Sequence, residues 1–295
     1  MRAARFAAML LFAAAAAPRP AAAQDEYGAK GLFPTYDVGG HWLIYDKTSA
    51  PGGAQALKPG SDFLVIGSKG QGLFSVAHAS STSVGACPPQ SLRTAILSGA
   101  RGSVGDPVLA IAVPAGFSLK GSRAAYQALP NAVGESVYQT LVATLNSATI
   151  EDAKSGAFRF KADDEGGTKF LADPKPEKIL LRIDYAAKVR VAGLAAPMVM
   201  VVGAQISNSF RRCLRLADGD KLIGGCAEMP SDLMAETSLL NFVSYDASGK
   251  GSPLLLAYTK EAPLWGHERW VFALRASGPR LFLRDAMDPR CRANF

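Results

Sequence analysis

Residues 213–226 read Cys-Leu-Arg-Leu-Ala-Asp-Gly-Asp-Lys-Leu-Ile-Gly-Gly-Cys, and this stretch decides the fold. Asp218-Gly219 is a hairpin-turn dipeptide, because glycine enters the positive-φ region of a tight turn without a Cβ clash. The arms on either side, with Leu214 and Leu216 before the turn and Leu222 and Ile223 after it, each carry apolar residues. An antiparallel hairpin follows. It brings Cys213 and Cys226 within disulfide reach across the two strands.

The same punctuation recurs outward from this point. The 29 glycines and 18 prolines are spread along all 295 residues, and the segments between them are short. Apolar or alternating runs occupy 41–46, 62–68, 73–78, 92–97, 108–113 and 158–162. A second series occupies 178–185, 188–193, 198–206, 239–245, 253–259, 269–275 and 280–285. Period-two alternation in Lys188-Val189-Arg190-Val191 and in Trp270, Phe272 and Leu274 marks strands with one buried face. Met198–Val202 is apolar on both faces and reads as a central strand. Ser68–Gly72 and Ser248–Gly251 supply two further hairpin turns.

Two segments interrupt the strand pattern. In residues 134–148, Val137, Leu141 and Leu145 recur every fourth position on one helix face. Residues 231–238 open with Ser231 as an N-cap and carry acids in the first turns. The expected class is therefore mainly β, a β-rich α+β fold, built as an antiparallel barrel or sandwich with one or two short helices. Charged, proline-bearing residues 161–178 separate a first half, 24–165, from a second, 178–295, and the two can also form one continuous domain.

Residues 1–23 have the organisation of a secretory signal peptide. Arg2 and Arg5 are the positive region, Phe6 to Ala17 is an apolar run, and Ala21-Ala22-Ala23 offers small residues for cleavage. Twelve helical residues reach only about 18 Å, short of a hydrocarbon core of roughly 30 Å. The expectation is a periplasmic or secreted protein with no membrane-spanning segment after cleavage. Removing Arg2, Arg5 and Arg19 lowers the formal charge from +7 to +4. That mild basicity suits an anionic envelope component or another exported protein as partner, and does not point to nucleic acid.

Four cysteines remain: Cys87, Cys213, Cys226 and Cys291. An even count in an oxidising compartment implies two disulfides with three possible pairings. The hairpin favours Cys213 with Cys226, which leaves Cys87 with Cys291. No CxxC pair and no HExxH spacing suggests a metal, and no phosphate-cradling glycine motif suggests a cofactor. Three histidines, His41, His78 and His267, restrict histidine-dependent chemistry. GxSxG is absent, and Ser68-Lys69 and Ser75/His78/Ser80 are the nearest approach to a nucleophile beside a base. Arg211, Arg212 and Arg215, with Lys221 across the hairpin, form the densest basic patch.

Gly40-His41-Trp42 resembles the G-x-W start of lipocalin-like barrels, in which the tryptophan closes the barrel floor; the likeness covers three residues. His41 and Trp42, with His267 and Trp270, are the candidate ligand-binding residues. The expected function is noncatalytic binding of a ligand, envelope component or protein. The alternatives are an envelope hydrolase whose site assembles only in the fold, and a structural surface-interaction module.

Overall fold

The computed structural model of this chain describes residues 31–46, 57–83, 91–120, 122–129, 179–206, 209–229, 240–259 and 267–287. Gly39 (φ 60°) and Gly40 (φ 81°) make a two-residue turn between β1 (Leu32–Val38) and β2 (His41–Asp46). Two successive positive-φ residues give a turn whose twist matches that of the strands it joins. Four more antiparallel strands follow: β3 (Asp62–Gly67), β4 (Gln71–Ser83), β5 (Ser91–Gly99) and β6 (Pro107–Ala112). They close a barrel in the order β1-β2-β5-β4-β3-β6, with β6 pairing both β3 and β1. Closure leaves no free sheet edge.

Alternation along each strand fills this barrel. Phe33, Phe63, Val65, Phe74, Leu97 and Ala110 belong to the inner cluster, with Trp42 among them. The intervening Leu32, Leu64, Ile66 and Leu109 face outward and are buried as well. They pack on a five-stranded sheet of order β15-β14-β13-β12-β7. Its members are β7 (Ala125–Leu129), β12 (Leu240–Asp246), β13 (Leu254–Thr259), β14 (His267–Arg275) and β15 (Gly278–Met287). Val243, Tyr245, Leu256, Tyr258 and Val271 meet the barrel. The alternate residues Phe242, Leu255, Ala257, Trp270 and Phe272 face the other way.

That second face meets a four-stranded antiparallel sheet of order β11-β10-β9-β8. It comprises β8 (Ile179–Lys188), β9 (Pro197–Ile206), β10 (Ser209–Asp218) and β11 (Lys221–Met229). Val199, Val201, Leu214 and Leu216 enter the shared core, where the Tyr185 and Phe242 rings stack at 3.9 Å. The protein is thus layered as sheet, sheet and barrel, with the five-stranded sheet in the middle. A strand in that position has no wet face, which is why Leu254–Ala257 is an unbroken apolar run.

The mainly β class and its antiparallel barrel and sandwich arrangement agree with the sequence reading, and so do the three hairpin turns. Asp218 pairs with Lys221, so the central turn residues are Gly219 (φ 62°) and Asp220, one place later than read. Residues 188–193 differ from expectation: after Lys188 they form the connection to β9, although Val189 and Val191 are buried and Arg190 is exposed. Alternating burial arises here from a loop laid over the sandwich core rather than from a ladder. β1 and β7 were not legible as strands, since Pro34 interrupts one and the other is a short, half-exposed edge. β7 joins the second half of the chain, so the strands divide between β6 and β7. The helices read at 134–148 and 231–238, the run at 158–162 and the segment 165–177 lie outside the described residues. Barrel connectivity also differs from an up-and-down lipocalin-like barrel, because β5 and not β3 pairs with β2.

The Cys213–Cys226 disulfide is present, with Cα atoms 5.6 Å apart. It spans an irregularity in which Arg215 alone stands opposite Gly224, Gly225 and Cys226. Gly224 (φ 65°) approaches Gly278 in the β14–β15 turn, where a Cβ would collide with the Ser277 carbonyl oxygen and lie 2.7 Å from Gly278 Cα. Nothing lies within 4 Å of a Cβ at Gly225. Gly224→Ala should therefore cost roughly 2–4 kcal/mol in urea unfolding, and Gly225→Ala less than about 1 kcal/mol; equal losses would contradict the close approach of β11 to β15.

Candidate functional site

Of the four residues nominated for ligand binding, Trp42 and Trp270 stand in different cores. His41 is exposed at the start of β2, whereas Trp42 is buried in the barrel core, its ring 4.7 Å from Phe74. Trp42 Nε1 donates to Asp37 Oδ2 at 3.3 Å, and the Arg101 guanidinium lies 5.5 Å above the indole. Trp270 is buried in the other core, between the two sheets. His267 opens β14 opposite Met287, and its side chain lies outside the described atoms. Both tryptophans act as core filling where they stand.

The proposed basic patch is also divided. Arg212 is buried, and its Nε bonds Asp184 Oδ2 at 3.1 Å. It stands opposite Gly203 of β9, and Asp184 occupies a bulge in the neighbouring β8. Arg215 is buried on the outer face of the same sheet, opposite Met200. Lys221 is exposed at the turn, and the Arg211 side chain is outside the described atoms. Hairpin periodicity predicted which residues alternate, but could not reveal that both faces of this sheet are covered.

The hydroxyls considered for catalysis are engaged elsewhere. Ser68 Oγ accepts from the Asp106 backbone N–H at 2.8 Å, Ser75 donates to Asp62 Oδ1 at 2.7 Å, and Ser80 bonds Thr94 at 2.9 Å. His78 is exposed on β4. Among the described residues no group of His, Cys, Asp and Glu has metal-binding geometry. Cys87 and Cys291 lie outside the described residues.

Sequence reasoning missed a polar junction between barrel and middle sheet. Arg269 on β14 is buried, and its guanidinium donates to four backbone carbonyls. Nη1 reaches Thr259 O at 2.8 Å and Glu268 O at 2.9 Å, Nη2 reaches Pro107 O at 3.2 Å, and Nε reaches Thr35 O at 3.4 Å. Its charge lies 4.7 Å from the Tyr36 ring and 5.5 Å from that of Tyr258. Directly across the ladder is buried Asp285, which accepts a hydrogen bond from Tyr36. Nearby, Tyr126 donates to Gly67 O at 2.9 Å; burial and then Tyr258 push its hydroxyl up to about 12, so it stays a donor. The one visible signal was a Glu-Arg pair beside a tryptophan in an apolar run.

Among the described residues most carboxylates are taken up by hydrogen bonds and ion pairs within the protein. Asp37 caps the first turn, Asp106 receives Ser68, Asp184 pairs with Arg212, and Asp285 receives Tyr36. Asp218 accepts the backbone N–H groups of Ala195, at 3.2 Å, and Ala196. Buried Asp246 accepts from Ser248 N and Oγ, Gly249 N, Gly251 N and Ser252 N, bracing the β12–β13 turn. The cations mostly point outward.

At one end of the sandwich this imbalance is concentrated. The ends of β7, β12, β13, β14 and β15 meet there with those of β8, β9, β10 and β11: Ala192 N bonds Gly251 O at 2.6 Å, and Gln127 Nε2 bonds Lys188 O at 3.4 Å. Arg123, Lys188, Arg190, Lys221, Lys250 and Arg275 are exposed in or beside these turns. The exposed described carboxylate at this end is Asp220. This is the candidate interface. Comparison of the chain with protein-family models, with curated proteins and with solved structures finds no match.

Two outcomes follow from the buried charges. Arg269→Met should cost roughly 3–5 kcal/mol, because it leaves four buried carbonyls without their donor; a loss under 1 kcal/mol in urea unfolding would contradict the clamp. Burial raises the Asp246 carboxyl, but hydrogen bonds from the Ser248 side chain and from the Gly251, Ser248 and Ser252 backbones outweigh it and hold the group below the usual range. Its contribution is therefore full above about pH 4 and lost as pH falls through the lower folded value. Asp246→Asn should cost roughly 1–3 kcal/mol at pH 7, with the difference from wild type shrinking at pH 3.

Proposed function

We propose that the chain is an exported β protein that binds an anionic partner without catalysing a reaction on it. One observation carries the reading: described carboxylates are spent on turns, hydroxyls and buried cations, while exposed cations gather at one end of the sandwich. The described cations at that end form a locally positive patch, which attracts polyanions over a Debye length of about 8 Å. The sequence pattern of residues 1–23 supports export. The Cys213–Cys226 bond is of the kind that persists in oxidising compartments. Among the described residues no helix is long and apolar enough to cross a membrane.

Noncatalytic binding is supported by the hydrogen bonding of Ser68 and Ser75, which engage aspartates. The mature protein should bind immobilised dextran sulfate at low salt, release it as salt rises, and ignore a polycation surface. Recovered dextran sulfate should keep its original chain length. Failure to bind any anionic surface at 50 mM salt would overturn the proposal, and shortened polymer would favour the hydrolase.

A further inference from the structure

We infer that the basic end of the sandwich docks face-on against the flat anionic surface of a phospholipid bilayer. This rests on the reading above that the partner is anionic, and names its kind. The argument begins with where the cations stand. They come from six positions in five turns and strand ends, contributed by both sheets. Strands about 4.8 Å apart and sheets roughly 10 Å apart spread such positions over a face rather than along a line. A linear polyanion is matched by cations in a row or along a groove, whereas an array spread over an area matches a plane of headgroups.

The turns that carry the array are braced from beneath. Asp246 holds residues 248–252 through five hydrogen bonds, Asp218 holds 195 and 196, and the Ala192–Gly251 bond ties the loop of one sheet to the turn of the other. Valines 189 and 191 and partly buried Leu194 anchor the 189–196 loop in the core, leaving Arg190 outside. The array therefore needs little ordering on contact. No large apolar side chain accompanies it: the exposed large hydrophobic among the described residues is Leu73, on barrel strand β4. Attachment is consequently at headgroup level and reversible by salt, without insertion into the hydrocarbon.

The mature protein would be sedimented with vesicles of phosphatidylcholine alone or with one quarter phosphatidylglycerol, at 100 mM salt. Binding should require the anionic lipid. Each cation near such a surface contributes about fivefold, so the triple variant Arg190→Gln/Lys250→Gln/Arg275→Gln should lose roughly 100-fold in partitioning. Lys58→Gln/Lys69→Gln/Arg93→Gln on the barrel removes the same charge and should lose less than about fivefold. Equal losses would overturn the docking face. A second readout needs no variant: anionic vesicles should slow amide exchange of wild type in residues 188–196 and 247–253, and protection confined to the barrel would overturn the inference. Binding to dextran sulfate but not to vesicles refutes the bilayer and leaves the anionic reading standing; binding to neither removes both.

Discussion

A β-sheet buried on both faces must satisfy every polar group within protein, and the middle sheet of this molecule lives under that constraint. Its strands are apolar toward the sandwich through Phe242, Leu255 and Phe272 and apolar toward the barrel through Val243, Leu256 and Val271. A charged residue on such a sheet is costly unless its charge and hydrogen bonds are answered locally. Arg269 meets the requirement by donating to carbonyls of barrel strands β1 and β6 and of its own sheet, with Asp285 across the ladder and Tyr36 and Tyr258 flanking it. The guanidinium thus links pieces far apart in the chain. Apolar packing alone holds two bodies together, but directed bonds from one planar group also set how they meet.

The same economy of charge shapes the exterior. Each carboxylate turned inward removes a negative charge from the surface and makes a structural bond, as Asp184, Asp246 and Asp285 do. Among the described residues, the exposed charged side chains are mostly lysine and arginine. Fold stability and the charge of the described surface therefore draw on one pool of charged residues. The disulfide belongs to this architecture too: it closes β10 to β11 where the ladder is irregular and where Gly224 admits the neighbouring β14–β15 turn.

Much of the fold was legible because strand periodicity and turn chemistry are local. Asp218-Gly219 marked a hairpin, the cysteines flanking it marked a bond, and Met198–Val202 marked a central strand. Expectations failed where burial came from a distant element. Val189 and Val191 alternate like a strand yet lie in a loop, because the sandwich core beneath them selects the same pattern. Arg212 and Arg215 read as a solvated patch, but one finds Asp184 inside and the other lies on a covered outer face. His41 and Trp42 are adjacent in sequence, but strand alternation sends one to solvent and the other into the barrel.

By itself the sequence determined that this is a β-rich chain with short strands, tight turns, a cysteine-tied hairpin and a mild excess of positive charge. Those properties follow from residue type and spacing within some ten positions. Only the tertiary structure decided that β7 crosses to the second sheet, that six strands close into a barrel, and that Arg269 becomes a buried clamp. It also decided that Arg123, Lys188, Arg190, Lys221, Lys250 and Arg275 converge on one end. The reason is physical: strand pairing partners and the destination of each charge depend on contacts between residues far apart in the chain, by more than two hundred positions for Tyr36 and Asp285. No local pattern encodes them.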